Sequence, residues 1–238
     1  MPENRIISQE ERRARGGERA ALLAEVEAEI AETAGMTGLA HLPEEVRRAL
    51  LAVPRHLFLP EDRRAAAYQN RPLPIGAGQT ISQPYIVALM TALSGAAAGK
   101  RILEIGTGCG YQAAVLAETG AEVWSIEFVE SLAEAAAKRL AALGYDGIHL
   151  RRGNGRKGWP EAAPFDAIVV TAAAPKLPPA LFEQLKPGGR IVIPIGPTSR
   201  AAQAFFGGQE LRVVEKDDQG AKREQSALPV AFVPLVKG

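Results

Sequence analysis

Arg101-Ile-Leu-Glu-Ile-Gly-Thr-Gly-Cys-Gly-Tyr111 is the stretch that decides the fold of this chain. Its first half is apolar enough for a buried strand, and three glycines then stand at every second position. An alanine-rich helical run over residues 112–118 follows. Because glycine has no Cβ, such a strand–turn–helix unit lets the backbone approach a ligand closely. The stretch therefore predicts a ligand-binding loop at the carboxyl end of a strand.

The spacing of the glycines restricts the ligand. A dinucleotide-binding fingerprint places its third glycine at position 111, where this chain has Tyr111. The next predicted strand, 122–126, is followed directly by Glu127, and a carboxylate in that position can accept hydrogen bonds from both ribose hydroxyls. A solvated acid at a strand end is the alternative interpretation of Glu127.

The rest of the chain alternates between predicted strands and helices. Strands are expected over 101–105, 122–126, 149–151, 165–171 and 190–194, with a tight turn over 186–189 and a C-terminal antiparallel hairpin formed by 211–216 and 229–235. Helices are expected over 18–33 (closed by Gly35), 43–53, 85–93, 112–118 and 131–143. The runs 168–170 and 191–193 are continuously apolar, as in strands covered on both faces. The pattern predicts a doubly wound, mostly parallel seven-stranded α/β sheet with an N-terminal helical subdomain.

The length of the chain limits the number of domains, and its net charge limits the possible partners. A chain of 238 residues can form one full α/β domain with an added subdomain. We expect an N-terminal helical subdomain and substrate loop over 1–84 and a ligand-binding domain over 85–238, packed as one compact unit. The 28 basic and 27 acidic residues give a formal net charge of +1, which offers no electrostatic support for nucleic acid binding.

Cysteine and histidine usage argues against a metal site. The single cysteine, Cys109, excludes an internal disulfide, and the three histidines are scattered without metal-ligand spacing. Apolar runs remain well short of the roughly 20 residues that span a bilayer. We therefore expect a cytoplasmic protein without a metal or a membrane partner, and a monomer rather than a dimer.

The segment Arg71-Pro-Leu-Pro-Ile-Gly-Ala-Gly-Gln-Thr-Ile-Ser-Gln-Pro-Tyr85 closely resembles the signature loop of the protein-L-isoaspartate O-methyltransferases. The likeness runs from about residue 53 to about residue 235 and includes segments 55–60, 158–161, 171–175, 185–189 and 229–235. The acidic-x-Gly-x-Gly-x-Gly run over 104–110 resembles the first motif of class I S-adenosylmethionine (SAM)-dependent methyltransferases.

This resemblance implies a Rossmann-like fold, SAM as cofactor and isoaspartyl-containing proteins and peptides as substrates. The enzyme would methylate the free carboxylate of the isoaspartyl residue. The ester would then collapse to a succinimide that can reopen as normal aspartate, so the implied role is protein repair.

The resemblance also assigns site residues. Ser82 is the implied catalytic residue, and Gln79, Thr80 and Ile81 are the implied substrate-binding residues. The implied cofactor-binding residues are Glu104, Gly106, Thr107, Gly108, Gly110, Glu127, Asn154 and Gly155. The family usually has Asp where this chain has Asn154; an asparagine oxygen can still accept a hydrogen bond from the adenine amine.

The proposed chemistry needs few groups. An isoaspartyl α-carboxylate has a reference pKa of about 3.3–3.7, so it is an anion at neutral pH and needs no general base. A hydroxyl donor such as Ser82 can orient it. Alternatively, Ser82 caps the helix that starts near Pro84. Three other functions stay open on the residues alone: a catalytically silent SAM-binding module, a SAM methyltransferase for another carboxylate or small molecule, and an NAD-dependent dehydrogenase, which Tyr111 disfavours.

Overall fold

The computed structural model describes residues 10, 13–199 and 208–236. Its strands are β1 Leu73–Gly76, β2 Gln79–Ile81, β3 Arg101–Ile105, β4 Glu122–Glu127, β5 His149–Arg152, β6 Phe165–Val170, β7 Leu185–Ile195, β8 Gln209–Lys216 and β9 Lys222–Val230. Its α-helices are α1 Gly16–Glu32, α2 Ala34–Thr37, α3 Glu44–Ala52, α4 Pro84–Ser94, α5 Tyr111–Glu118, α6 Glu130–Ala142 and α7 Pro179–Glu183.

Seven of these strands form one sheet in the order β5-β4-β3-β6-β7-β8-β9. The first five are parallel to their neighbours, and β8 and β9 extend the sheet as an antiparallel hairpin. The chain runs outward from β3 to β5 and then returns to β6 on the other side of β3. In such sheets a ligand crevice lies outside the carboxyl ends of the strands where the order reverses. The predicted mostly parallel, doubly wound sheet with a C-terminal hairpin is confirmed.

Alternating strand residues supply two apolar cores. Ile102 of β3 belongs to the core under α1, α3, α4 and α5, whereas Leu103 belongs to the core on the opposite face. This is the two-residue period of a strand with both faces covered. The first core is continuous from the fully buried Ile30 of α1 to Val192 of β7, so the N-terminal helices and the sheet share one interior.

The end of the first helix differs from the prediction. Gly35 does not close it, because α1 ends at Glu32 and the short helix α2 follows at once. The left-handed residue is Gly38, with φ 71°, which ends α2. The Thr33 hydroxyl donates to the carbonyl oxygen of Glu29 at 2.7 Å and satisfies part of the exposed end of α1.

The strands near the C-terminus also differ from the prediction. β7 begins at Leu185, and residues 186–189 form a bulge inside it, where the register with β6 shifts. The returning strand of the hairpin is Lys222–Val230 and not 229–235. The Asp217 carboxylate accepts from the backbone N–H groups of Gln219 and Ala221, and this tight turn leads straight into β9. Because β9 ends at Val230, residues 231–236 lie outside the sheet.

The aperiodic segment between α3 and α4 is ordered. It contains two short 3-10 helices, Arg55–Phe58 and Glu61–Ala66, and the antiparallel ribbon β1–β2. The ribbon turns at Ala77 and Gly78, whose φ angles are 51° and 70°. None of the helices in the described part of the chain is both long and apolar enough to cross a membrane.

Candidate active site

Two adjoining clefts open at the carboxyl ends of the central strands. The first is formed by the glycine loop after β3, the end of β4 and the C-terminal segment 233–236. The second, of about 470 Å³, lies between α1, the segment 72–86 and the segment 228–233. Thr80, Thr171 and Val233 line both clefts, so the two meet at these residues. Among the described residues, neither cleft is lined by histidine, lysine, arginine or cysteine.

The wall between the clefts requires a glycine at position 106. Gly106 has φ +99°, and a Cβ built on it would lie 2.4 Å from Thr171 Oγ1. The Thr171 hydroxyl occupies this space because it donates to the Gly106 carbonyl oxygen at 2.7 Å. Any side chain at position 106 would therefore be strained and would displace Thr171 from the point where the clefts meet.

The first cleft has the hydrogen-bond acceptor and the apolar surface that a nucleoside needs. The Glu127 carboxylate accepts from the N–H of Gly108 at 2.7 Å and from the N–H of Val129 at 2.9 Å. A carboxylate has about four acceptor positions, so two remain for ligand hydroxyls. Phe128 and Val236, both 37% exposed, line the same cleft and offer apolar surface to a flat base. These residues fit the nucleoside part of SAM.

Six of the residues assigned from the sequence line the first cleft: Gln79, Thr80, Gly106, Gly108, Glu127 and Gly155. Gly155 must be small for a packing reason, because a Cβ there would lie 2.3 Å from Ile105 Cγ2. Ser82 lines the second cleft. The other five assigned residues line neither cleft, although Thr107 borders a third depression beside Glu127.

Glu104 and Thr107 lie behind the glycine loop. Glu104 is fully buried and accepts a hydrogen bond from the Ser125 hydroxyl, which is itself 2.6 Å from Thr107 Oγ1. The other carboxyl oxygen of Glu104 has no hydrogen-bond partner in the described structure. Burial raises the pKa of Glu104 to about 8, which keeps it protonated at neutral pH.

Three further residues assigned from the sequence contact other parts of the protein and not the clefts: Gly110, Ile81 and Asn154. Gly110 packs against Leu140 of α6, and Ile81 is buried in the first apolar core. Asn154 Oδ1 accepts from the backbone N–H of Arg156 at 3.0 Å and caps a short 3-10 helix. The asparagine oxygen thus already has one donor before any ligand binds.

Ser82 does not cap α4, so the capping interpretation is wrong. The N-cap residue is Gln83, without a side-chain capping bond. Instead, Asn70 Oδ1 accepts from the backbone N–H of Tyr85 at 3.0 Å. Within the described structure the half-buried hydroxyl of Ser82 has no hydrogen-bond partner, so it can donate to a ligand in the second cleft.

Arg55 is a positioning residue that sequence reasoning did not identify. Its side chain is fully buried and stacks on the Tyr111 ring, with 4.9 Å from Cζ to the ring centroid. The guanidinium donates to the carbonyl oxygens of Ala67 at 3.0 Å and of Ser82 at 2.7 Å. Burial lowers the pKa of Arg55. The guanidinium therefore fixes the backbone that carries Ser82 from inside the protein.

Two other potentially reactive side chains, those of His56 and Cys109, are buried and have structural surroundings. His56 Nδ1 lies 2.7 Å from the Tyr68 hydroxyl, and burial together with Arg15, Arg19 and Arg64 lowers the pKa of His56 to about 4. Burial raises the pKa of the Cys109 thiol. Both lie outside the two clefts.

Comparison with solved structures places the fold. One structure of a protein-L-isoaspartate O-methyltransferase matches with a TM-score of 0.77 and 28% identity, covering 92% of this chain and 66% of that chain. A second, of a putative protein-L-isoaspartate O-methyltransferase from Plasmodium falciparum in complex with S-adenosyl-L-homocysteine, has a TM-score of 0.74 and 24% identity, covering 92% of this chain and 99% of that one. The second likeness shows a shared fold.

Sequence comparison gives the family. A protein-L-isoaspartate O-methyltransferase 2 of Syntrophobacter fumaroxidans is 53% identical over 223 residues, which are 94% of this chain and 87% of that protein. A protein-L-isoaspartate O-methyltransferase of Opitutus terrae is 55% identical over 194 residues, 82% of this chain and 80% of that protein. The family described as protein-L-isoaspartate(D-aspartate) O-methyltransferase matches residues 32–238. This chain therefore belongs to the protein-L-isoaspartate(D-aspartate) O-methyltransferases, a family of SAM-dependent enzymes.

Proposed function

We propose that the two clefts divide the reaction of this family between them, with SAM in the first cleft and the isoaspartyl peptide in the second. The protein methylates the free carboxylate of L-isoaspartyl residues in damaged proteins and peptides. SAM supplies an electrophilic methyl group bonded to a sulfonium. The observation that carries the placement is the shared lining by Thr80, Thr171 and Val233, because the methyl group and the carboxylate must meet where the clefts join.

In the cofactor cleft, Glu127 would accept from the two ribose hydroxyls, while Phe128 and Val236 flank the adenine. Gly106 and Gly108 let the backbone approach the ligand, and Gly155 keeps the cleft open beside Ile105. Four further residues would support cofactor binding from outside the lining of this cleft, either at its edge or behind the glycine loop: Glu104, Thr107, Gly110 and Asn154. Of these, Asn154 would offer its amide to the adenine edge with one acceptor position already in use.

In the acceptor cleft, the carboxylate is already an anion, which agrees with a lining that has no histidine or lysine among the described residues. Ser82 Oγ would donate to one carboxylate oxygen and leave the other free to face the first cleft. Gln79 and Thr80 would form the floor between the clefts, and Ile81 anchors them in the core. Holding the reacting atoms about 3–3.5 Å apart and aligned is then the main catalytic task.

The decisive assay compares methyl transfer from labelled SAM to an isoaspartyl peptide and to its aspartyl twin of identical sequence. We expect labelling of the isoaspartyl peptide alone. Equal labelling of both peptides would mean a less specific carboxylate methyltransferase. Labelling of neither, with S-adenosyl-L-homocysteine still bound, would mean a silent binding module.

Replacing Ser82 by alanine should lower turnover and leave cofactor affinity nearly unchanged. Loss of one donor to a charged acceptor costs about 1.5–3 kcal/mol, which corresponds to a rate loss of roughly 10- to 150-fold. The matched control is Ser226→Ala, which removes an exposed hydroxyl of β9 outside both clefts. A Ser82→Ala rate within about threefold of the Ser226→Ala rate would mean that Ser82 takes no part in catalysis.

Replacing Glu127 by glutamine should weaken cofactor binding more than it lowers the rate at saturating cofactor. The amide keeps an acceptor oxygen for only one of the two loop N–H groups, which bond to different oxygens of Glu127, and it also loses the charge-assisted bonds to the hydroxyls. We expect at least a tenfold rise, about 1.4 kcal/mol, in the S-adenosyl-L-homocysteine dissociation constant. Calorimetry gives the value directly. Glu130→Gln, on the adjacent helix and 58% exposed, is the control. Equal affinities of the two variants for S-adenosyl-L-homocysteine would mean that Glu127 does not bind the ribose hydroxyls.

Glu104→Gln should change how stability depends on pH. The pKa of Glu104 is about 8 in the folded protein against an ordinary 4.5. Between these values the folded state holds a proton that the unfolded state has lost, so this group makes stability fall as pH rises, by up to about 1.4 kcal/mol per pH unit.

Glutamine does not titrate and should remove this contribution. We therefore expect the free energy of unfolding of the ligand-free variant, relative to that of the parent, to be about 2–3 kcal/mol higher at pH 7.5 than at pH 5. Denaturation of both proteins at the two pH values measures this difference. The same difference between the two proteins at both pH values would mean that Glu104 is ionised behind the loop.

We further propose that the protein acts in the cytoplasm as a monomer, with the N-terminal helices over 1–84 and the SAM-binding part over 85–238 working as one unit. The continuous core from α1 to β7 supports the single unit. The net charge of +1 supports the proposal that nucleic acid is not a partner.

A further inference from the structure

The acceptor cleft contains a carboxylate from the N-terminal helix. Glu29 of α1 lines the second cleft together with Ser82, Gln83 and Tyr85. It is the one lysine, arginine, aspartate or glutamate side chain among the described residues that form this lining. Glu29 also precedes the region matched by the family, which begins at residue 32. The charge of the cleft is therefore set by a residue outside the matched region.

Two neutral amides hold this carboxylate in place. Glu29 Oε2 accepts from Asn70 Nδ2 at 2.8 Å, and Gln83 Nε2 lies 3.3 Å from the same oxygen. Asn70 in turn caps the N-terminus of α4 through Tyr85, next to the loop that carries Ser82. Within the described part of the chain no lysine or arginine lies within 4.0 Å of Glu29. The network fixes the position of the carboxylate and leaves its charge without a cationic partner.

This charge affects what can enter the cleft. The substrate carboxylate is itself an anion, and an acidic residue next to it would bring a second negative charge towards Glu29. A lysine or arginine next to the isoaspartyl residue would instead be attracted. At separations of about 8 Å in a partly solvated cleft, each such interaction changes binding by about fivefold.

We propose that Glu29 is a specificity-determining residue that selects isoaspartyl peptides with a cationic neighbour and disfavours those with acidic neighbours. The proposal rests on the placement of the peptide in the second cleft. Glutamine at position 29 can keep the hydrogen bond from Asn70, because its amide oxygen is also an acceptor. It removes the charge at the loss of only the 3.4 Å contact between Oε1 and Gln83 Nε2. The substitution therefore separates selection by charge from a purely structural tie between α1 and the loop.

The experiment uses two isoaspartyl peptides that are identical except for lysine or glutamate on both sides of the isoaspartyl residue. The ratio of their kcat/KM values is measured for the parent protein, for Glu29→Gln and for Glu25→Gln. Glu25 is exposed on the same helix, one turn earlier, and its substitution changes the net charge equally. Affinity for S-adenosyl-L-homocysteine, equal in all three proteins, verifies that the fold and the first cleft are intact.

We expect the parent to favour the lysine-flanked peptide, the ratio to fall by about 25-fold in Glu29→Gln because a fivefold attraction and a fivefold repulsion multiply, and Glu25→Gln to keep the parental ratio. The parental ratio should also fall at high salt, because the charges are partly exposed. An unchanged ratio in Glu29→Gln overturns the proposal, as does an equal loss of activity on both peptides, which marks a structural tie. If the parent methylates neither peptide, the proposed function itself fails.

Discussion

The structure of the site depends on one contact, between Gly106 at the end of β3 and Thr171 at the end of β6. The two strands are paired in register as far as Ile105 and Val170, so the next residue of each strand meets the other at the same level. The Thr171 hydroxyl donates to the Gly106 carbonyl oxygen and occupies the volume of a Cβ at position 106. A hydroxyl thus reaches the boundary of both clefts, and the glycine loop is forced past it towards the cofactor side.

The acceptor side depends on a second buried interaction, that of Arg55. A guanidinium removed from water is costly unless hydrogen bonds replace its hydration. Here the carbonyl oxygens of Ala67 and Ser82 and the Tyr111 ring supply part of that compensation, while Arg55 Nη1 has no hydrogen-bond partner among the described residues. Because the two carbonyls are far apart in the sequence, one side chain orders an irregular segment that has little regular secondary structure. The free hydroxyl of Ser82 and the amides around Glu29 are positioned on that segment.

The sequence predicts those parts of the structure that local periodicity determines. The strands β3 to β6 and the helices between them follow from apolar runs and the glycines and polar residues that bound them, and the glycine spacing predicts the loop that lines the first cleft. An acidic residue before the glycines predicts contact of Glu104 with the cofactor, but its fully buried position behind the loop is not visible in the sequence. Its burial depends on pairing in register with Ser125, which belongs to another strand.

The remaining parts depend on contacts between distant segments. Residues 229–235 are continuously apolar like a buried strand, but most of the segment leaves the sheet after β9 ends at Val230. Backbone bonds from Ala173 to Val233 and from Leu235 to Ala173, at 2.8 and 2.7 Å, then hold it over the cofactor cleft. In the same way, Glu29 has no local signal that separates it from the other acids of α1. Its position in the acceptor cleft follows from the packing of α1 beside α4.

In the proposed mechanism, cofactor and acceptor meet at the boundary lined by Thr80, Thr171 and Val233. A crystal structure of the protein with both S-adenosyl-L-homocysteine and an isoaspartyl peptide tests it most directly. We expect the homocysteine sulfur and the isoaspartyl carboxylate on opposite sides of this boundary, with Ser82 Oγ within hydrogen-bond distance of the carboxylate. A peptide bound on another surface, or a carboxylate directed away from Ser82 while the cofactor product occupies the first cleft, would contradict it.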